Sequence, residues 1–219
     1  MKTFIITMVN NQRSVDAANQ CLESCKKFGY DAEIFEAITP DDGPYGILKK
    51  EGLPKENILL DKSCSKPRPA LCCFLSHYFL WKKAIELNET ILCLEHDAIM
   101  VNKLAPRLKH TGVCNLGKPS YGYFIKAKKA GTYYLFSKPN NHFPGTHAVL
   151  VSPEGAKKLI KQAKVRVGTP DLFLNKTDFP WLSEYYPWPV ECDDSFTTIQ
   201  NERGCLAKHN YEKGTFDIL

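Results

Sequence analysis

Four consecutive apolar residues, Ile91-Leu92-Cys93-Leu94, followed at once by Glu95-His96-Asp97, constrain this chain more than any other stretch. The run is too short for a buried helix and apolar on both faces, which predicts a central strand covered by helices on each side. Upstream, Leu71, Phe74, Leu75, Tyr78, Trp81 and Ile85 recur at helical spacing. A long amphipathic helix beginning near Ala70 therefore leads through a turn at Asn88–Thr90 into the strand. Acids that directly follow a central strand stand at its carboxyl end, where open α/β sheets gather their ligands. Glu95 and Asp97 offer a seat for Mn²⁺ or Mg²⁺, which favour carboxylate oxygen, and Mn²⁺ also tolerates an imidazole such as that of His96. The plainer alternative for the pair is a solvated strand end.

The opening of the chain is of the same kind. Thr3–Val9 reads as a strand, and Ser14 as the cap of a helix whose inner face is Val15, Ala18, Cys21, Leu22, Cys25 and Phe28, closed by Gly29. Ala32–Ile38 follows as a second strand, and this β-α-β order implies parallel strands joined by a right-handed crossover. The loop after the first strand of a nucleotide-binding fold lies at the ligand edge, so Asn10 and Arg13 are candidates for base, ribose or diphosphate. An ordinary polar loop is the alternative. Tyr45–Glu51 predicts a short helix ended by Gly52, and the segment 54–69 reads as irregular. Tyr121–Phe124 and Thr132–Phe136 suggest an antiparallel pair. Thr146–Val151 predicts a strand that runs through Ser152 and Pro153 into a helix reaching about Ala163. The aromatics between Trp181 and Trp188 suit either core packing or a platform on which sugar faces stack.

Three ordered blocks, Cys73–His77 with Trp81, Leu94–Asp97, and Gly145–Leu159, resemble glycosyltransferase family 25, the lipopolysaccharide and procollagen galactosyltransferase family. That family pairs a G-C-F-L-S-H-x-x-x-W helix with an I-L-E-D-D strand end and a later G-x-x-A-Y-L-I-S-x-x-G-A-x-K-L block. Two positions depart from the pattern: Cys72 stands where the family has glycine, and His96 where it has the middle Asp. The resemblance implies an α/β, GT-A-like fold with a mainly parallel central sheet flanked by helices. It is expected as one domain over residues 1–219, with 1–100 as the donor half and 101–219 as the acceptor half.

The activity so implied is transfer of a hexose, galactose ahead of glucose, from a UDP-sugar to a glycan or other hydroxyl-bearing acceptor, with inversion and with Mn²⁺ or Mg²⁺. Asn10, Arg13, Ser76, His77, Glu95, Gly145 and Thr146 fall on the donor side. Asp97, with Glu95 and His96, would hold the metal, and His209 is the best-placed histidine near the C-terminus. Asp171, in P-D-L-F-L, is the first choice for the general base and Asp194 the second.

Composition narrows the alternatives. A net charge of +5 over 219 residues is modest, and no arginine-rich run alternates with aromatics, which argues against a nucleic-acid partner. The nine cysteines are odd in number and sit largely in apolar runs, as expected of reduced thiols inside a cell. Met1–Arg13 has too short an apolar stretch for a signal peptide, and no stretch reaches the length of a membrane span, so a cytoplasmic location is expected. Two other readings remain open. His96 motivates a catalytically inactive nucleotide- or glycan-binding module of the same fold. The i,i+4 pairs Cys21/Cys25 and Cys205/His209 motivate a zinc-stapled interaction protein.

Overall fold

The computed structural model describes residues 1–56, 58–60, 66–105, 108, 112–120, 126–134 and 141–193. Thr3–Thr7 forms β1, Gln12–Lys27 α1 and Ala32–Glu36 β2. A single 3₁₀ turn at Pro40–Asp42 leads into α2, Pro44–Glu51, which is followed by β3, Ile58–Leu59. The long helix α3 spans Pro67–Leu87 and delivers the chain to β4, Ile91–Glu95, and β5, Ala98–Met100. Val113–Asn115 is β6, Gly131–Tyr134 β7 and Ala148–Val151 β8. Then come α4 at Pro153–Ala163, β9 at Val167–Gly168 and α5 at Pro170–Phe173. Ser183–Tyr186 and Val190–Cys192 form β10 and β11.

Seven strands make one sheet in the order β2-β1-β4-β8-β6-β10-β7. The expected α/β class is observed, and β1 lies parallel to both β2 and β4. Parallel pairing does not extend evenly across the sheet. β8 runs antiparallel to β4 and to β6, and β10 is parallel to β6 but antiparallel to β7. The sheet is thus parallel on its β2-β1-β4 side and mixed beyond. β5 turns away to pair antiparallel with β11, and β3 pairs with β9.

The apolar run of β4 is the centre of this arrangement, with Ile91, Leu92, Cys93 and Leu94 at most 1% exposed. Alternation sends Ile91 and Cys93 to one face and Leu92 and Leu94 to the other. On the first face they join Phe74, Leu75 and Trp81 of α3 together with Ala156 and Leu159 of α4. On the second they meet Ala18, Cys21 and Cys25 of α1 and Met100 of β5. The chain leaves β1 in one direction to make β2 and comes back across it to make β4. Crossovers of one hand in opposite directions put their helices on opposite faces, and α1 and α3 stand so.

Local chemistry explains most element ends. Asn88, φ 49°, closes α3 in the left-handed region, and Gly29, φ 83°, follows the end of α1. The Ser152 hydroxyl caps α4 by accepting from Gly155 N at 3.1 Å. Gly155 itself is required: a Cβ there would lie 2.3 Å from the Gly112 carbonyl oxygen, where backbone meets backbone and neither can give.

Three expectations are corrected. Asn11, not Ser14, is the N-cap of α1, because its side-chain oxygen accepts from Ser14 N at 3.2 Å. The segment 54–69 is not wholly irregular, since α3 starts at Pro67. Pro67 and Pro69 fall in the first turn, where helix N–H groups have no intrahelical acceptor to lose. The third concerns strand length: β8 starts at Ala148 rather than Thr146, because Gly145, φ 103°, bends the chain just before it. Within the expected pair of strands, β7 takes β10 as its partner, and residues 121–125 lie outside the described residues. No helix among the described residues is long and apolar enough to cross a membrane.

Candidate functional site

The reversal of strand order between β1 and β4 opens a crevice at their carboxyl ends, the position where open α/β sheets take ligands. A cleft of about 390 Å³ lies there, within the usual range for small-molecule sites. The loop after β1 lines it with Met8 and Asn11, and the first turn of α1 with Arg13. Ile38 and Pro40 line it from the end of β2, Cys72, Cys73 and Ser76 from α3, and Glu95 and His96 from β4. Arg13 lines the cleft. Asn10 is exposed and is not among the lining residues; its neighbour Asn11 is.

Ser76 ties two walls together. Its hydroxyl donates to the Cys72 carbonyl and accepts from Ile38 N, both at 2.9 Å, so the end of β2 is pinned to α3. His77, one residue on, is 1% exposed, and its Nε2 lies 3.1 Å from Glu95 Oε1. The Thr146 hydroxyl donates to the same oxygen at 2.8 Å. Gly145 makes this approach available, since its φ of 103° and the 2.5 Å from a built Cβ to Ser120 Oγ exclude any side chain. Glu95 N in turn donates to the His147 carbonyl at 3.0 Å.

Burial alone would raise the Glu95 pKa. The His77 hydrogen bond and charge, the Thr146 hydroxyl and the charge of His147 outweigh it and bring the group to about 2. Glu95 is an anion at any physiological pH, and its Oε1 is held by two protein donors.

His96 is placed differently from its neighbours. The Ser14 hydroxyl accepts from Met8 N at 2.9 Å, which leaves its own proton for His96 Nδ1 at 3.2 Å. The ring also hydrogen-bonds the Ile6 backbone, and burial lowers its pKa from the ordinary value. The imidazole thereby fastens the β4 end to β1 and α1.

Asp97 lies in the turn between β4 and β5, where its carbonyl accepts from Asp193 N at 2.7 Å. Asp171 is half-buried on α5, with its Oδ1 accepting from Leu172 N at 3.0 Å. These acids converge on one thiol. Burial pushes the Cys73 pKa well above its usual value, and the charges of Glu95, Asp171 and Asp97 push it further. Glu95 and Asp97 from one stretch of sequence and Asp171 from another, 74 residues on from Asp97, share one neighbourhood. Asp194 and His209, together with Cys205, lie outside the described residues.

Against that geometry, comparison with known proteins becomes specific. The family model described as "Glycosyltransferase family 25 (LPS biosynthesis protein)" matches residues 1–174, most of the 219. The chain belongs to glycosyltransferase family 25. A "Glycosyltransferase 25 family member" from Aedes aegypti is 30% identical over 95 residues, which cover 42% of this chain and 16% of that protein. The chain thus spans only a small part of the length of that relative.

Within the family 25 frame, two features escaped the reading of the sequence. Cys73 and His77 are spaced i,i+4, a signal open to inspection, yet only their fit to the family pattern drew notice. The i,i+4 thiol pair Cys21 and Cys25 is at most 1% exposed in the α1 core, which is the ordinary use of small apolar thiols. Glu184 left no signal at all: a glutamate in a short aromatic strand looks like a solvated side chain, and it is 1% exposed. The tail aromatics are largely core. Trp188 is 9% exposed, and its indole donates to Glu184 Oε1 at 2.7 Å.

Proposed function

We propose that this chain is a metal-dependent, inverting glycosyltransferase that moves a hexose, galactose in the first instance, from a UDP-sugar to a glycan or other hydroxyl-bearing acceptor. The observation that carries the reading is the cleft at the β1–β4 reversal, whose lining includes both Arg13 and the anionic Glu95. The donor half would be residues 1–100 and the acceptor half 101–219.

The carboxylates fit Mn²⁺ or Mg²⁺, because these ions favour oxygen and Glu95 is held ionised. With Oε1 committed to His77 and Thr146, Glu95 has Oε2 for the ion, beside Asp97; His96, tied to Ser14 and to the Ile6 backbone, positions the strand end that carries them. Such an ion supplies charge that stabilises the departing diphosphate. Arg13 adds positive charge at the cleft wall, and Asn11 offers an amide to the nucleoside. Ser76 keeps the β2 end against α3, so the cleft keeps its width. Asp171, within electrostatic reach of the same centre, takes the acceptor hydroxyl proton as the single base that inversion needs.

Calorimetric titration of UDP with Mn²⁺, and again with chelator, tests the donor site. Metal-dependent binding is expected in the wild type and should weaken roughly tenfold or more in Asp97→Ala, since even residues behind metal ligands cost 10–100-fold. UDP binding indifferent to both chelator and the substitution would remove Asp97 and the metal from the scheme. For the base, Asp171→Asn should leave UDP binding intact and lower transfer by about 10²–10⁴. Unchanged turnover would take Asp171 out of the mechanism.

A second reading, a binding module without turnover, draws on His96, which stands where the family pattern has an acid and is tied to Ser14 and the Ile6 backbone. UDP binding without transfer to any of a broad acceptor panel would favour it.

A further inference from the structure

Cys73 and His77 stand one turn apart on α3, so both side chains lie on the helix face that meets the end of β4. Cys73, His77 and Glu95 each bring one ligand atom into a group whose members all lie within 4.8 Å of one another. His77 is sealed at 1% exposure, and the Thr146 hydroxyl fixes the Glu95 oxygen from the opposite side. Cys73 and Glu95 also line the cleft, so the group borders open space there.

Sulfur, imidazole and a single carboxylate form a donor set that Mn²⁺ and Mg²⁺ do not prefer and that zinc-class ions do. Bonds of about 2.0–2.3 Å to a tetrahedral ion set ligand atoms roughly 3.3–3.8 Å apart. Closing in from 4.8 Å asks only for small side-chain rotations, since the helix and strand that carry the groups are already packed. Three protein ligands with one exchangeable position is the arrangement of zinc sites that stay accessible.

We propose that Cys73, His77 and Glu95 form a binding site for a thiophilic divalent cation of the zinc class, distinct in donor chemistry from the oxygen-ligated ion of the transfer reaction. Binding takes the thiolate form of Cys73, whose proton passes to solvent, and a bare His77 nitrogen, so the proton that Nε2 shares with Glu95 Oε1 moves to Nδ1 or to solvent. Because two of the three ligands line the cleft, an ion held there narrows the space open to a nucleotide and draws Glu95 toward α3. The site links the chain's metal response to its thiol state: oxidising or alkylating Cys73 removes it.

Co²⁺ is the probe, because a thiolate bound to it gives an intense near-ultraviolet charge-transfer band that oxygen and nitrogen ligands do not. Full-length protein kept reduced without added thiol is titrated with Co²⁺ alone. One equivalent should bind with that band, and Zn²⁺ should abolish it by displacement. The band should vanish in Cys73→Ser and persist in Cys21→Ser, which alters the buried α1 pair instead. No band in the wild type, or a band of equal strength in Cys73→Ser, overturns the proposal. Should Cys73→Ser fail to fold by circular dichroism, His77→Gln replaces it; a weakened or shifted band supports the site, and an unchanged one overturns it. None of these readouts depends on UDP binding or turnover, so they stand apart from the fate of the proposed function.

Discussion

Glu184→Gln is expected to flatten the pH dependence of stability between about pH 4.5 and 7 and to leave the variant the more stable protein at pH 8. Burial raises the Glu184 pKa from 4.5 to about 7, against the opposing effects of the Trp188 indole, the Asn115 side chain and the charge of Lys176. The folded protein thus holds this proton more tightly than the unfolded chain does. The stability so gained is full below about pH 4.5 and is lost as pH rises through the folded value near 7. A shift of that size corresponds to about 3 kcal/mol across the window, at about 1.4 kcal/mol per pH unit. Glutamine cannot ionise, keeps an oxygen for the Trp188 indole 2.7 Å away, and carries none of this dependence. Denaturant unfolding of both proteins at pH 4.5 and at pH 8 checks it: the difference between them should change by about 3 kcal/mol. Parallel pH curves would mean that Glu184 meets water more freely than its 1% exposure implies.

Phe173→Ala should lower global stability by about 3–5 kcal/mol, a large share of what a domain of ordinary stability has. Its ring stacks on Trp81 with centroids 5.4 Å apart and meets Phe74 and Phe179 edge-on or tilted at 5.1 and 5.5 Å. Every partner is itself buried, and two of the three, Phe74 and Trp81, come from α3, distant in sequence, so no neighbour can collapse into the hole. Phe173 also sits two residues after Asp171 on the same short helix. The loss should therefore be accompanied by weaker positioning of that acid. Leu172→Ala, at a half-buried site on the same helix, is the control and should cost well under half as much. A Phe173→Ala protein within about 1 kcal/mol of wild type would show that the aromatic cluster repacks.

Periodicity and end-chemistry made α1, α3, α4 and β4 legible from the sequence. Their cues lie within a few residues of one another: the apolar stripe from Leu71 to Trp81, the Ser152-Pro153 start, the Gly29 end. The resemblance of the Cys73–His77, Leu94–Asp97 and Gly145–Leu159 blocks to family 25 was equally legible, because short ordered motifs survive without any fold in view. Asn10 against Asn11, and Ser14 against Asn11 as a cap, were one-turn decisions that only the path of the loop after β1 could make.

The order and kind of elements, a central strand ending in acids, and membership in glycosyltransferase family 25 all follow from the residues in chain order. Tertiary structure decided how they meet. The direction of β8 against β4 depends on pairing partners more than fifty residues apart, such as Leu94 with Ala148, about which local pattern says nothing. The same holds for the single neighbourhood of Glu95, Asp97 and Asp171, and for the closing of His96 between Ser14 and the Ile6 backbone. The Cys73–His77–Glu95 group likewise exists only once α3 is laid against β4. Backbone conformation is written in near neighbours. Desolvation and charge pairing, which set the chemistry of a site, act through space between residues that the chain brings together only when folded.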